Sequence, residues 1–271
     1  MSLIADLPLL NDIREIDSNL VQSFRENGHI LIRNILTKEE MDLYRQVINE
    51  AAYRYNREKR KLEDRDTYGK AFLQIMNLWE VDEAARKFVM AKRFASIAAQ
   101  LLGVEKVRLY HDQALYKEAG GGHTPWHQDQ FYWPLDTSKT VTMWMPLIDI
   151  SVEMGMLTFA SGSHKNGMLK NVPISDESEA FLNKYIAENK YEVTWATTMN
   201  AGDATWHSGW VLHSAPGNKS SVTREVMTII YFADGARVTA PKSIEQENDR
   251  LRWLCGIEPG QLAASKLNPV L

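Results

Sequence analysis

Val107-Arg108-Leu109-Tyr110-His111-Asp112-Gln113-Ala114-Leu115 is where the chain changes its period. Val107, Leu109 and His111 alternate with Arg108 and Tyr110, and Gln113 and Leu115 follow, which is the two-residue repeat of a strand. Upstream the spacing is helical. Thr37-Lys38-Glu39-Glu40 is a capping box, in which Thr37 accepts from a free backbone N–H and Glu40 reaches back. Behind it Met41, Tyr44, Val47, Ile48 and Ala51 recur on one helical face. That helix should end in the charged stretch Arg57 to Asp66, which reads as a solvated face or loop. A second helix is expected over about 82–102, carried by Ala85, Phe88, Val89, Phe94, Ile97, Ala98 and Leu101, with Gly103 as its C-cap. Earlier still, Phe24-Arg25-Glu26-Asn27-Gly28 is a turn signal before a short strand, His29 to Arg33.

Downstream the strands multiply. Val141 to Leu147 reads as one, and Gly155-Met156-Leu157-Thr158-Phe159 as a turn into another. More follow near Tyr191 to Trp195, Trp206 to His213 and Val226 to Phe232. A helical insert is expected over 176–188, with Ala180, Phe181, Tyr185 and Ile186 as apolar positions. A last helix is expected over about 241–257, around Ile244, Leu251 and Trp253. Short strands separated by turns, with helices gathered at the ends, predict a mainly β fold with flanking helices. Its core would be an antiparallel double-stranded β-helix, or jelly roll. No repeat or linker interrupts the chain, so a single domain is expected over 1–271. Within it a helical part would span about 1–104, the jelly-roll core about 105–235 and a C-terminal helical segment about 240–260.

Composition narrows the function classes. With 271 residues, 44% hydrophobic and 24% charged, the chain can bury a sizeable core. A net charge of -4 and no basic stripe argue against nucleic acid and anionic membrane surfaces as partners. No apolar run is long enough to span a bilayer. Met1-Ser2-Leu3-Ile4-Ala5-Asp6 lacks the basic and apolar regions of a secretory signal, and Ser265-Lys266-Leu267 is internal. The lone cysteine, Cys255, excludes an internal disulfide, and a reducing, cytoplasmic setting is the expectation.

Glycines 120 to 122 precede His123-Thr124-Pro125-Trp126-His127-Gln128-Asp129-Gln130. A histidine and a carboxylate two residues apart in an extended strand face the same side. With one distant histidine they make a 2-His-1-carboxylate triad, which leaves positions open on Fe(II). His164, His207 and His213 compete for that third place. His164 sits in a Gly-Ser-His-Lys loop, and His207 near the Gly202-Asp203 turn could orient a strand or line a pocket. His213 has the better claim, because Pro216-Gly217-Asn218 and then Arg224 follow it. A hairpin there would return Arg224 toward the metal face, where its guanidinium can grip a carboxylate bidentately. Taken alone, Arg224 reads as a structural salt bridge.

Together these segments resemble the phytanoyl-CoA dioxygenase family of Fe(II)/2-oxoglutarate oxygenases. The likeness runs over most of the chain. It includes the early Asn-Gly strand and capping-box helix, Pro125 to Asp129, Gly155-Met156-Leu157 leading to Gly162-Ser163-His164, and His213 with Asn218 and Arg224. The resemblance implies that His127, Asp129 and His213 bind iron, with no catalytic side chain beyond these ligands. It implies that Arg224 holds the distal carboxylate of 2-oxoglutarate, with Gln113 and Trp144 beside that cosubstrate. O2 is the second cosubstrate, and ascorbate is an expected assay additive. One departure stands out. Members often carry a small hydroxyl residue two places after the distal histidine, and here that place is Ala215, with Ser214 beside it.

The activity so implied is hydroxylation of a small, largely apolar metabolite, with release of succinate and CO2. Phe131, Tyr132, Trp133, Trp206 and Trp210 flank the ligand segments and are candidates for its pocket. Two rivals are a metal-binding jelly roll without catalysis, acting as a sensor or binding module, and an oxidative halogenase. Arg224 argues against the first, since a pure binder needs no cosubstrate clamp. Asp129 argues against the second, because related halogenases place a small residue there and halide takes the vacated site.

Overall fold

A computed structural model of the chain describes residues 7–169 and 173–271. Met1 to Asp6, read above for a signal segment, lies outside the described residues. Among the described residues the strands form three sheets, all their pairs antiparallel. The largest has six strands. In spatial order they are β1 (His29–Ile32), β10 (Ala204–Ser208), β5 (Thr140–Pro146), β12 (Arg224–Ala233), β3 (Val107–Lys117) and β2 (Leu73–Met76). A four-stranded sheet is ordered β4 (Thr124–His127), β11 (His213–Ala215), β7 (Thr158–Ala160) and β8 (Val193–Trp195). A short pair, β6 (Ile150–Ser151) with β9 (Thr198–Met199), completes the set. Two antiparallel sheets with helices outside are the jelly roll expected from the alternating segments. Among the described residues, no helix is long and apolar enough to cross a membrane.

The helices of the first hundred residues pack on the larger sheet. The capping box forms as read: Glu40 N donates to Thr37 Oγ1, and Thr37 N to the Glu40 carboxylate. It starts α2 (Lys38–Tyr55), whose Met41, Tyr44, Ile48 and Ala51 are buried in a core shared with Trp206, Tyr231 and Ile229. Four expectations need correction. Phe24 to Gly28 is more than a turn: it closes a helix, α1 (Ser18–Asn27), which Gly28 caps in the left-handed conformation. The single helix expected over 82–102 is two, α5 (Glu83–Val89), capped by Asp82, and α6 (Lys92–Leu102), separated where Ala91 is extended, and a short α4 (Leu78–Val81) precedes them. The strand expected from Trp206 to His213 breaks at Gly209, and its halves β10 and β11 belong to different sheets. For the same reason β11 and β12 form no hairpin. Arg224 sits instead at the start of the neighbouring sheet's β12.

Three apolar positions were also misplaced. The insert forms as α7 (Asp176–Glu188), α3 (Thr67–Ala71) having come earlier, but it buries Leu182 and Ile186 while Ala180 is exposed. In α8 (Ile244–Trp253), Ile244 and Leu251 face solvent, and Trp253 with the following Leu254 carries the packing.

Candidate metal centre

The crossing between the two sheets brings the named residues together. His127 ends β4 and His213 starts β11, and the two are direct cross-strand partners. Their rings lie 4.0 Å apart between centroids. Directly opposed residues in an antiparallel pair share a face, so both imidazoles point into the space between the sheets. Asp129 is not in the strand. Gln128 is extended and Asp129 opens a one-turn 3-10 helix, Asp129–Tyr132. The Gln128 side chain fixes this corner, donating to the carbonyls of Gly167 at 2.7 Å and Trp210 at 2.6 Å.

Asp129 Oδ1 stands 3.4 Å from His127 Nε2 and 3.5 Å from His213 Nε2. The three side chains each offer one ligand atom, all within 4.8 Å of one another, and could hold a metal ion. The histidine tautomers suit that task. His127 Nδ1 is 2.7 Å from the Pro125 carbonyl, and His213 Nδ1 is 3.1 Å from the Val211 carbonyl. A carbonyl only accepts, so each Nδ1 carries the proton and each Nε2 presents a lone pair to the centre. Asp129 Oδ2 is occupied on its other side by Thr142 Oγ1 at 3.0 Å and His207 Nε2 at 3.3 Å. That leaves Oδ1 facing the two imidazoles. Burial opposes ionisation of Asp129, yet the surrounding His213, His127 and His207 hold its carboxyl well below the usual carboxylate range. Burial and the neighbouring His213 push His127 down, so both groups stand in the form a cation needs.

A cavity of about 270 Å³ opens beside the triad. Arg224, Thr228 and Ile230 line it in turn along β12, as Leu115, Gln113 and His111 do along β3. Strand rise puts roughly 20 Å between Arg224 and Ile230, so Arg224 closes one end. At that end Arg224 is buried and its Nη1 donates to the Gly155 carbonyl, while its Nε has no partner. Its guanidinium lies 5.1 Å from the Trp144 ring. Among the described residues no carboxylate pairs with it, and burial lowers it to about 9. An Nε left orphaned inside a cavity is what a bound carboxylate would satisfy. Gly155 keeps this end tight: at φ +82°, an added Cβ would sit 2.5 Å from the Pro216 carbonyl.

Gln113 and Trp144 line the same cavity, Gln113 accepting from Gln74 Nε2 at 2.6 Å. Of the flanking aromatics, Tyr132 and Trp133 line it, whereas Phe131, Trp206 and Trp210 do not. Trp206 is fully buried in the main core. His164 is remote from the triad and contacts the Arg25 carbonyl at 3.1 Å. The far end escaped the sequence reading. There α8 contributes Asn248, Asp249, Arg252 and Trp253 to the cavity wall, and Tyr110 donates its hydroxyl to Asp249 at 2.9 Å. Burial pushes the Asp249 carboxyl up to about 7. Thr142 and His207 as supports of Asp129 were also not foreseen; the alternation of β5 and β10 could have put them on the inner face.

Comparison with known proteins identifies the family and the fold. The family model for phytanoyl-CoA dioxygenase matches residues 24–226. A curated Arabidopsis thaliana phytanoyl-CoA dioxygenase is 25% identical over 162 residues, covering 59% of this chain and 56% of that protein. The chain thus matches about half the length of that relative. A phytanoyl-CoA dioxygenase domain-containing protein 1 from Danio rerio is 22% identical, covering 85% of this chain and 95% of its own. Among solved structures, the non-heme alpha ketoglutarate dependent carbocyclase SnoK from nogalamycin biosynthesis superposes with a TM-score of 0.78. It is 22% identical, covering 95% of this chain and 97% of its own. The epimerase SnoN, solved with Fe3+, alpha ketoglutarate and nogalamycin RO, gives 0.74 at 23% identity, covering 93% and 97%. At such identities these two show a shared fold.

Proposed function

The chain belongs to the phytanoyl-CoA dioxygenase family, and we propose that it is a non-haem Fe(II)/2-oxoglutarate-dependent dioxygenase that hydroxylates a small molecule. The observation that carries this reading is the convergence of His127 Nε2, His213 Nε2 and Asp129 Oδ1 on one point, beside a cavity that Arg224 closes without a partner for its Nε. Fe(II) bound there would supply, with 2-oxoglutarate and O2, the oxidising chemistry that ends in succinate and CO2.

The chain's own part is placement. Pro125 and Val211 carbonyls hold the two imidazoles in the ligating tautomer. Thr142 and His207 keep Asp129 turned so that one oxygen is available. Arg224 offers a fork to the distal carboxylate of the 2-oxo acid, with Trp144 against its face. Tyr132, Trp133 and Trp253 give the rest of the cavity wall an aromatic surface. The expectation of a largely apolar substrate is tempered by Asn248, Asp249 and Arg252 in the wall. The proposed substrate therefore carries hydrogen-bonding groups on an otherwise apolar body.

Asp129 supports oxygenation over halogenation, because its carboxylate fills the place a halide would need. Turnover can be found by screening small metabolites for succinate release over the substrate-free rate. Product analysis in excess chloride should then give oxygenated product. A chlorinated main product would overturn the assignment.

A further inference from the structure

The end of the cavity opposite Arg224 is built from residues that the metal centre does not use. Thr142, Ile230 and His111 stand in one row across the six-stranded sheet, and Thr142 is a residue that bonds Asp129. Two strand spacings separate the ends of that row, roughly 10 Å. At its far end β3 carries a bulge. Ile230 pairs with His111 and Tyr231 with Leu109, so Tyr110 is the extra residue. A bulge re-aims a side chain. The buried Tyr110 ring lies 5.2 Å from His111 and 5.4 Å from Trp133, and its hydroxyl donates to Asp249 Oδ2 at 2.9 Å.

Asp249 and Trp253 lie one turn apart on the same face of α8. The Trp253 ring is 4.9 Å from His111, and its side chain also hydrogen-bonds to Asp249. An ionised carboxylate has about four acceptor sites, so Asp249 keeps acceptor capacity on the cavity that it lines. Two charges decide what it can take. Arg252, exposed at the mouth, lies over the Trp253 ring at 4.2 Å and adds positive charge beside Asp249, which disfavours an ammonium group. The Asp249 carboxylate itself repels an anion. A hydroxyl meets neither objection, and it pairs with either form of the carboxyl because it both donates and accepts. Substrate choice is free to be set here, since α8 lies beyond the residues that the family match covers.

We propose that Asp249 is a specificity-determining residue that accepts a hydrogen bond from a neutral hydroxyl of the substrate, and that Tyr110 is the positioning residue for its carboxyl. The substrate is then an alcohol whose hydroxyl and reacting carbon stand one to two rings apart, the reach of the row from His111 to Thr142. This rests on the dioxygenase reading given above and names the substrate class of the same site.

The test is anaerobic calorimetry at pH 8 on the protein loaded with Fe(II) and 2-oxoglutarate. The probes are 4-phenylcyclohexanol, two rings long, and its ketone, amine and carboxylate counterparts. The ketone keeps the size and an acceptor but has no donor. In wild type the alcohol should bind about tenfold tighter than the other three, the size of one hydrogen bond to a charged group. Asp249→Ala should weaken the alcohol to the level of the ketone and leave the ketone unchanged. Asp249→Asn should keep most of the preference, because an acceptor oxygen remains. Tyr110→Phe should weaken the alcohol severalfold and the ketone not at all, a split that general loosening of the packing would not produce. The wild-type ranking and Tyr110→Phe decide the matter should Asp249→Ala fail to fold. An alcohol that binds no tighter than the ketone, or a preference that survives in Asp249→Ala, would overturn the assignment. So would the amine binding tightest, or a carboxylate preference that Arg252→Gln abolishes. If wild type takes up 2-oxoglutarate but shows no alcohol preference, only this inference falls. If it takes up none, the cosubstrate reading falls, and the same titrations without 2-oxoglutarate still decide the seat.

Discussion

Arg224 is the residue whose role is sharpest. It is fully enclosed and its Nε has no partner. Truncating one side of a desolvated charge pair costs about 2 to 5 kcal/mol. Arg224→Ala should therefore weaken 2-oxoglutarate by about 30-fold or more, with little change in metal affinity, since no ligand is lost. Arg224→Lys should recover part of the loss, because it keeps the charge and not the planar fork. Titration of the visible charge-transfer band of the Fe(II)–2-oxoglutarate complex measures both, and wild-type affinity in Arg224→Ala would move the clamp elsewhere. At this scale much was legible. His127 and Asp129 two apart, and His213 with Arg224 downstream, are residue types whose chemistry is visible as letters. The supports of Asp129 were not, because Thr142 and His207 reach it only through the packing of β5 and β10.

Elements were legible where local physics decides them. The Thr37–Glu40 capping box and the buried face of α2 follow from side chains within a few residues of each other. Thr37→Ala should cost about 1 kcal/mol of stability, read as a lower denaturation midpoint with 2-oxoglutarate binding unaltered; an unchanged midpoint would count against the cap. The α8 helix was placed correctly and its face in part: Trp253 is buried as read, but Ile244 and Leu251 are exposed and Asp249 turns inward instead. Asp249 gives this docking a pH signature. Its carboxyl is raised to about 7 by burial, against roughly 3.9 in an unfolded chain. Between those values the folded state keeps a proton that the unfolded chain has released, so stability falls as pH rises from about 4 to 7. Asp249→Asn removes the titration and keeps an acceptor for Tyr110. Its stability relative to wild type should improve across that window and level off above it. A flat difference in denaturant unfolding from pH 4 to 8 would show that Asp249 ionises freely.

On the scale of the whole molecule, alternation predicted the strands and their jelly-roll arrangement, but not which sheet each would join. The segment from Trp206 to His213 reads as one strand in the sequence. In space it is two strands, because Gly209 turns the chain at a point where an added Cβ would lie 2.4 Å from Thr140 Oγ1. That break sets His207 on the six-stranded sheet and His213 on the four-stranded one. The two histidines therefore approach Asp129 from opposite sheets, one on each carboxylate oxygen. Arg224 likewise reaches the cavity from the six-stranded sheet rather than through a hairpin with β11. The candidate metal centre is thus a property of the sheet crossing, and a sequence period cannot report it.

The most direct test of that centre is anaerobic titration of the Fe(II)-loaded protein with 2-oxoglutarate, in wild type and in His213→Ala, His207→Ala and His164→Ala. Wild type should develop the charge-transfer band with one 2-oxoglutarate per chain. His164→Ala should match it, His207→Ala should retain the band with weakened metal affinity, and His213→Ala should lose it. A band that survives in His213→Ala and vanishes in His207→Ala or His164→Ala would contradict the assignment of His127, Asp129 and His213 as the metal ligands.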